Sequence, residues 1–94
     1  MTTVERVTVL GAGTMGHGIA QVSAMAGALT VLYDPDEAAL EGAVERIRGN
    51  LQKGVSLGKV DEAAAHGALN RLQVAHEVAG GVAGADLVIE AVPE

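Results

Sequence analysis

Residues 7–21 read VTVLGAGTMGHGIAQ, an apolar run followed by four glycines within eight residues and then by small and aliphatic residues. Because the residues from 4 to 10 are mostly β-branched or aliphatic and glycine follows directly, they predict a buried strand. The residues from 14 to 26 predict a helix that ends at Gly27. The glycines therefore lie where a strand passes into a helix.

Three of these glycines form the pattern G-x-G-x-x-G, which by itself also occurs in turns that bind no ligand. Gly11 permits a tight turn, Gly13 lets a pyrophosphate approach the backbone, and Gly16 allows the helix to pack closely on the strand. The N–H groups of Thr14 and Met15, at the positive end of the helix dipole, would face the anion. A P-loop is excluded because histidine, not lysine, follows the third glycine.

An acidic residue follows the second predicted strand, which covers residues 29–33. Asp34 lies within the range of the spacing of about 20 residues that is typical of a dinucleotide-binding fingerprint. Its carboxylate would accept hydrogen bonds from the adenosine ribose and repel the 2′-phosphate of NADP, so the predicted cofactor is NAD. In the alternative interpretation Asp34 is an N-cap, with Pro35 at the first helical position and Glu37 as the capping-box acid; the two roles are compatible.

The rest of the chain continues the alternation of helices and strands. Helices are predicted over residues 35–53, 61–72 and, weakly, 77–84, and strands over residues 72–75 and 86–92. This order predicts an α/β fold: a Rossmann-type parallel sheet with helices on both faces, incomplete at about four strands, with a helical pair inserted between strands 2 and 3. The last strand is apolar apart from Glu90, as in parallel strands that are buried on both faces.

Composition excludes several classes of function. The 94 residues carry a net charge of -6, with scattered basic residues and Tyr33 as the only aromatic, which argues against nucleic acid as a partner. The absence of cysteine excludes disulfides, thiolate metal sites and a cysteine nucleophile, and no metal site is expected. No apolar run approaches the roughly 18 residues of a membrane helix, and no secretory signal is visible. A cytoplasmic location without membrane contact is expected.

Three stretches together resemble the NAD-binding domain of the L-3-hydroxyacyl-CoA dehydrogenases, in the branch that includes the 3-hydroxybutyryl-CoA dehydrogenases. They are VTVLGAGTMGHGIAQVSAMAGALTVLYD, ALEGAVERIRGNLQKGV with GKVDEAAAHGALNRL, and ADLVIEAVPE. The resemblance covers the whole chain. Its specific parts are the inserted helical pair and DLVIEAVPE, since every Rossmann dehydrogenase shares the glycine pattern.

That family oxidises the 3-hydroxyl group of an acyl-CoA to a ketone and transfers hydride to NAD. The resemblance implies that these residues contact the cofactor: Gly11, Ala12, Gly13, Thr14, Met15, Gly16, Asp34, Val92, Pro93 and Glu94. It implies no catalytic residue here, because the family's catalytic histidine and its orienting glutamate lie beyond the matched stretch. Residues 1–94 are therefore expected to be the N-terminal part of an NAD-binding Rossmann domain, with the catalytic remainder and the C-terminal helical domain absent. Acyl-CoA binding and homodimers are expected only of the full-length protein.

Histidines offer no obvious catalytic base. None of His17, His66 and His76 is expected to be catalytic, because only Glu77, beside His76, is an adjacent acid. Gly18 is assigned to close packing alone. Two alternative functions stay open: the NAD-binding part of another β-hydroxyacid dehydrogenase, and a non-catalytic dinucleotide-binding module. A sheet that stops at its fourth strand leaves an open edge, so the isolated chain is expected to be marginally stable or prone to aggregation.

Overall fold

Strands and helices alternate along the computed structural model of the chain, which describes residues 4–91. The elements are β1 Arg6–Leu10, α1 Thr14–Met25, β2 Leu29–Tyr33, α2 Glu37–Ser56, α3 Glu62–Arg71, β3 Leu72–Ala75, α4 Val78–Val82 and β4 Leu87–Glu90. The strands form one parallel sheet in the order β3-β2-β1-β4. The predicted Rossmann-type α/β fold is confirmed, including the helical pair α2 and α3 between β2 and β3.

The helices cover both faces of the sheet. α1, α2 and α3 pack on one another and on one face, whereas α4 contacts β1, β2 and β3 on the other. α2 buries Leu40, Ala43, Ile47 and Leu51 at helical spacing, while α1 buries the small residues Gly16, Ala20 and Ala24. Because these side chains are small, α1 can lie close to the sheet.

Buried Thr8 connects α4 to the centre of the sheet. Its side chain is fully buried, and its Oγ1 donates a hydrogen bond of 2.6 Å to the carbonyl oxygen of Gly81. A Cβ atom at Gly81 would lie 3.2 Å from the Cβ of Ala75, so α4 approaches the strands closely at a glycine. The hydroxyl therefore satisfies a helix carbonyl that close packing removes from water.

β4 forms one edge of the sheet described by residues 4–91. Asp86, just before it, accepts hydrogen bonds through Oδ2 from the N–H groups of Glu5 (2.9 Å) and Arg6 (3.0 Å). Leu87 and Val88 remain 44% and 42% exposed. The apolar composition of this strand predicted burial on both faces, but within the described residues the strand is partly exposed.

The start of α2 differs from the expectation that Asp34 is an N-cap. The helix begins at Glu37 and its N-cap is Asp36, whose Oδ1 accepts from the N–H groups of Ala38 (3.0 Å) and Ala39 (3.3 Å). The prediction of a helix from residue 35 was wrong because the Asp34 carboxylate bonds to the backbone of another loop. α2 also continues to Ser56, three residues past the predicted end.

α2 has 20 residues, enough to span a membrane, but it carries charged groups such as the exposed pair of Glu45 and Arg48. Between residues 4 and 91, no helix combines the length and the apolar character that crossing a bilayer requires.

Candidate functional site

The loops after β1, β2 and β4 meet at the carboxyl end of the sheet. The N–H of Gly11 donates to the carbonyl oxygen of Tyr33 (2.7 Å), and the N–H of Ala91 donates to that of Leu10 (2.8 Å). The connection from β1 leads to β2 on one side, while β4 lies on the other, so the strand order reverses here. Open parallel sheets bind ligands at such a point.

Residues 11–13, here called the glycine turn, join β1 to α1. Gly11 has φ +112°, a conformation that side chains other than glycine rarely adopt. A Cβ atom at Gly16 would lie 1.7 Å from the Gly11 carbonyl oxygen, so α1 approaches the turn more closely than any side chain would allow. This contact supports the expected role of Gly16 in close packing of the helix.

Gly13 and Gly18 are in open surroundings. Among the described residues, a Cβ atom at either position would meet nothing within 4 Å. The backbone at Gly13 is extended, with φ -75° and ψ -160°, and the free space beside it is where a ligand would approach the glycine turn. For Gly18 the expectation of close packing was wrong, because this position of α1 faces outward into a shallow apolar groove beside β4.

Among residues 4–91, no side chain caps the N-terminus of α1. Its N-cap is Gly13, and the first turn contains no acidic residue. The N–H of His17 bonds to the Gly13 carbonyl oxygen at 3.0 Å, and helix geometry leaves the preceding amides of Thr14, Met15 and Gly16 without an intrahelical acceptor. Uncapped amides at the positive end of a helix suit an anion such as a pyrophosphate.

The carboxylate of Asp34 is held beside the glycine turn. Its Oδ2 accepts from the N–H of Ala12 (2.8 Å) and its Oδ1 accepts from the N–H of Asp36 (2.8 Å). Each oxygen keeps a second lone pair, so the carboxylate is fixed in place and can still accept from the two hydroxyls of a ribose. The residues predicted to bind phosphate and ribose are thus brought together at the carboxyl end of the sheet.

A cavity of about 350 Å³ adjoins Asp34 on the face of the sheet that carries α4. Its lining is mostly apolar, with two carboxylates, and consists of Leu10, Gly11, Tyr33, Asp34, Pro35, Val78 and Glu90. Sequence analysis singled out Glu90 as the polar residue of an apolar strand but gave it no place in the site. The pairing of Leu10 with Glu90 between β1 and β4 brings it there.

Two of the three histidines have partners. His76 Nδ1 lies 2.9 Å from Oε1 of Glu37, so the expectation that only Glu77 could orient this histidine was wrong. Both side chains are largely exposed, at 66% and 59%, as in a surface pair. His17 Nδ1 lies 3.0 Å from the Gly13 carbonyl oxygen, which requires the proton on Nδ1 and places the ring at the N-terminus of α1.

Predicted contacts at the end of the last strand, Val92, Pro93 and Glu94, lie outside the described residues. The preceding residue, Ala91, is buried and close to Gly16: its Cβ would be 3.6 Å from a Cβ added there. Across residues 4–91, no group of three or more histidine or acidic side chains is placed to hold a metal ion.

Comparison with known proteins identifies a family. The family described as "3-hydroxyacyl-CoA dehydrogenase, NAD binding domain" matches residues 6–94. A 3-hydroxybutyryl-CoA dehydrogenase of Mycobacterium tuberculosis is 42% identical over 91 residues, which are 97% of this chain and 32% of that protein. A probable 3-hydroxyacyl-CoA dehydrogenase of Caenorhabditis elegans is 39% identical over 99 residues, covering 100% of this chain and 32% of its own length.

Solved structures agree with the sequence relatives. The crystal structure of 3-hydroxybutyryl-CoA dehydrogenase from Escherichia coli K12 superposes with a TM-score of 0.93 at 40% identity, covering 99% of this chain and 20% of that one. That of (S)-3-hydroxybutyryl-CoA dehydrogenase from Ralstonia eutropha gives a TM-score of 0.89 at 35% identity, covering 98% and 32%. The chain therefore spans about a third or less of the relatives it matches.

Proposed function

Since the chain belongs to the NAD-binding domain family of the 3-hydroxyacyl-CoA dehydrogenases, we propose that its glycine turn and Asp34 hold NAD for the oxidation of an (S)-3-hydroxyacyl-CoA, such as 3-hydroxybutyryl-CoA, to the 3-oxoacyl-CoA. Bound NAD supplies the acceptor for the hydride that leaves the hydroxyl-bearing carbon. The 94 residues are the N-terminal part of the nucleotide-binding domain in this proposal.

The observation that carries the proposal is the pairing of an uncapped helix with a fixed acid. The amides of Thr14 and Met15 would bind the pyrophosphate, and the open space at Gly13 would admit it. Asp34, already oriented by two backbone N–H groups, would accept from the ribose hydroxyls. Gly11 and Gly16 give the turn its shape, and Ala12 ties it to Asp34.

Acidic residues around Asp34 favour NAD over NADP. Asp36 and Glu37 follow it two and three positions later, and residues 33–37 contain no arginine or lysine to pair with a 2′-phosphate. A phosphate brought to this loop would meet like charges, which weakens its binding.

The remaining parts of the reaction are proposed by relation to the longer relatives. Val92, Pro93 and Glu94 would lie beside the nicotinamide ribose. Acyl-CoA binding, the general base and homodimer contacts would come from parts of the full-length protein outside these residues. The general base in particular must reach within about 3 Å of the hydroxyl proton. A cytoplasmic location is part of the same proposal.

A binding titration tests the cofactor site directly. Because the chain has no tryptophan and one tyrosine, NADH emission can be followed with little protein background, and NAD and NADP are then measured by competition. We expect NAD to bind and NADP to bind at least about tenfold more weakly, a difference of about 1.4 kcal/mol. Failure of a demonstrably folded chain to bind NAD would contradict the proposal, and equal affinity for NADP would contradict the role given to Asp34.

A further inference from the structure

The carboxylate of Asp34 connects two loops that lie 22 positions apart in the sequence. The hydrogen bond from Ala12 to Oδ2 reaches the middle of the glycine turn, and the hydrogen bond from Asp36 to Oδ1 closes the carboxylate's own loop. Both are 2.8 Å long, as is typical of hydrogen bonds to an ionised acceptor.

Ala12 depends on this acceptor. The residue is 3% exposed, so its N–H has little access to water that could replace the carboxylate. An amide left without an acceptor in such a place carries the full cost of its desolvation. The turn would relieve that cost by rotating the Ala12 peptide, which lies between Gly11 and the N-cap Gly13 of α1. Rotating the peptide unit that carries this N–H changes ψ of Gly11 and φ of Ala12, and glycine resists such a change least.

We infer that Asp34 is a positioning residue for the glycine turn. It therefore also controls the binding of the phosphate groups, which its side chain does not touch. The inference rests on the proposed NAD site. Through Ala12, the carboxylate holds the turn in the form in which the Thr14 and Met15 amides open toward an anion. Ribose recognition and pyrophosphate binding are therefore coupled through one side chain.

The sign of the effect on a ribose-free anion distinguishes this role from simple ribose binding. If Asp34 served the ribose alone, removing its negative charge would leave the affinity for inorganic pyrophosphate unchanged or raise it, because a nearby repulsion is lost. If Asp34 also holds the turn, the same removal lowers that affinity. The two roles predict opposite directions.

The experiment titrates inorganic pyrophosphate into the full chain and follows the Thr14 and Met15 amide resonances. We expect Asp34→Ala to weaken pyrophosphate binding about tenfold or more, the ratio that corresponds to one lost hydrogen bond to a charged group. Asp34→Asn keeps one acceptor oxygen and should fall between the wild type and Asp34→Ala. Asp36→Ala is the matched control: it removes a carboxylate from the same loop, but one that bonds to the amides of α2. It should not weaken pyrophosphate binding.

Amide hydrogen exchange at Ala12 provides a measurement that needs no ligand. In Asp34→Ala this amide should exchange at least about tenfold faster than in Asp36→Ala, because loss of its hydrogen bond opens the turn locally. Unchanged protection of Ala12, or pyrophosphate affinity equal to or above that of the wild type in the Asp34 variants, would overturn the inference. If the wild-type chain binds neither NAD nor pyrophosphate, the proposed function fails, while the exchange rate of Ala12 still decides whether Asp34 holds the turn.

Discussion

Replacing Gly16 by alanine tests how tightly α1 is set against the glycine turn. The added Cβ would lie 1.7 Å from the Gly11 carbonyl oxygen and 2.7 Å from its carbon, and both atoms belong to the peptide unit that the Ala12 hydrogen bond to Asp34 holds in place. Overpacking of this kind costs about 3 kcal/mol or more, and the higher helix propensity of alanine returns about 1 kcal/mol. We therefore expect a net loss of about 2 kcal/mol in the free energy of unfolding, or roughly 8–16 °C in Tm for a domain of this size.

Gly18→Ala is the matched control, because it makes the same chemical change two positions later in the same helix. A Cβ there meets no atom of the described residues within 4 Å, so only the gain in helix propensity remains. We expect this variant to be more stable than the wild type by about 0.5–1 kcal/mol.

Thermal unfolding followed by circular dichroism, together with NADH titration, measures both effects. Gly16→Ala should melt well below the wild type and bind NADH more weakly, because the turn must shift to accept the methyl group. Gly18→Ala should melt slightly above the wild type with unchanged affinity. A Gly16→Ala variant that melts at or above the wild-type temperature would refute the close contact between α1 and the turn.

Three further substitutions separate binding from stability. Gly13→Ala should lower the free energy of unfolding by no more than about 1 kcal/mol, the cost of alanine at an N-cap, yet weaken NAD binding at least about tenfold, because among the described residues its Cβ meets only the space proposed for the pyrophosphate; retained affinity in a titration would contradict this. Thr8→Val should cost about 1–3 kcal/mol in urea unfolding, since the Gly81 carbonyl loses its 2.6 Å donor, and a stable variant would show that α4 is held by other contacts. His76→Ala should alter stability by less than about 0.5 kcal/mol, as the pair with Glu37 is exposed; a change in NADH affinity would show that the pair belongs to the site.

Local chemistry explains which features the sequence predicted. The conformations of Gly11 and Gly16 follow from a strand that passes directly into a helix, and the G-x-G-x-x-G spacing already specifies both. Which of Asp34 and Asp36 caps α2 does not follow from the local sequence. Either acid suits an N-cap, and Asp34 is drawn away by the Ala12 amide, 22 positions earlier in the chain.

Other features depended on which strands are neighbours. The His76–Glu37 pair joins residues 39 positions apart and exists because β2 and β3 are adjacent. Glu90 reaches the cavity beside Asp34 through the register of β4 on β1. A sequence pattern indicates that strands form, but the register and the side-chain directions at their ends follow from the packing of the whole sheet.

The pairing of β1 with β4 has a consequence for synthesis on the ribosome. β1 is translated well before its second neighbour, which lies about 80 positions later in the chain, as the Arg6–Asp86 hydrogen bond shows. At roughly 5–20 residues per second, about 4–16 seconds pass before that neighbour is translated. During this interval one side of β1 is exposed in the nascent chain. The Leu10 carbonyl oxygen then lacks its later hydrogen-bond donor, the N–H of Ala91. The same strand that begins the nucleotide site is thus a site where a chaperone or another nascent chain can bind first.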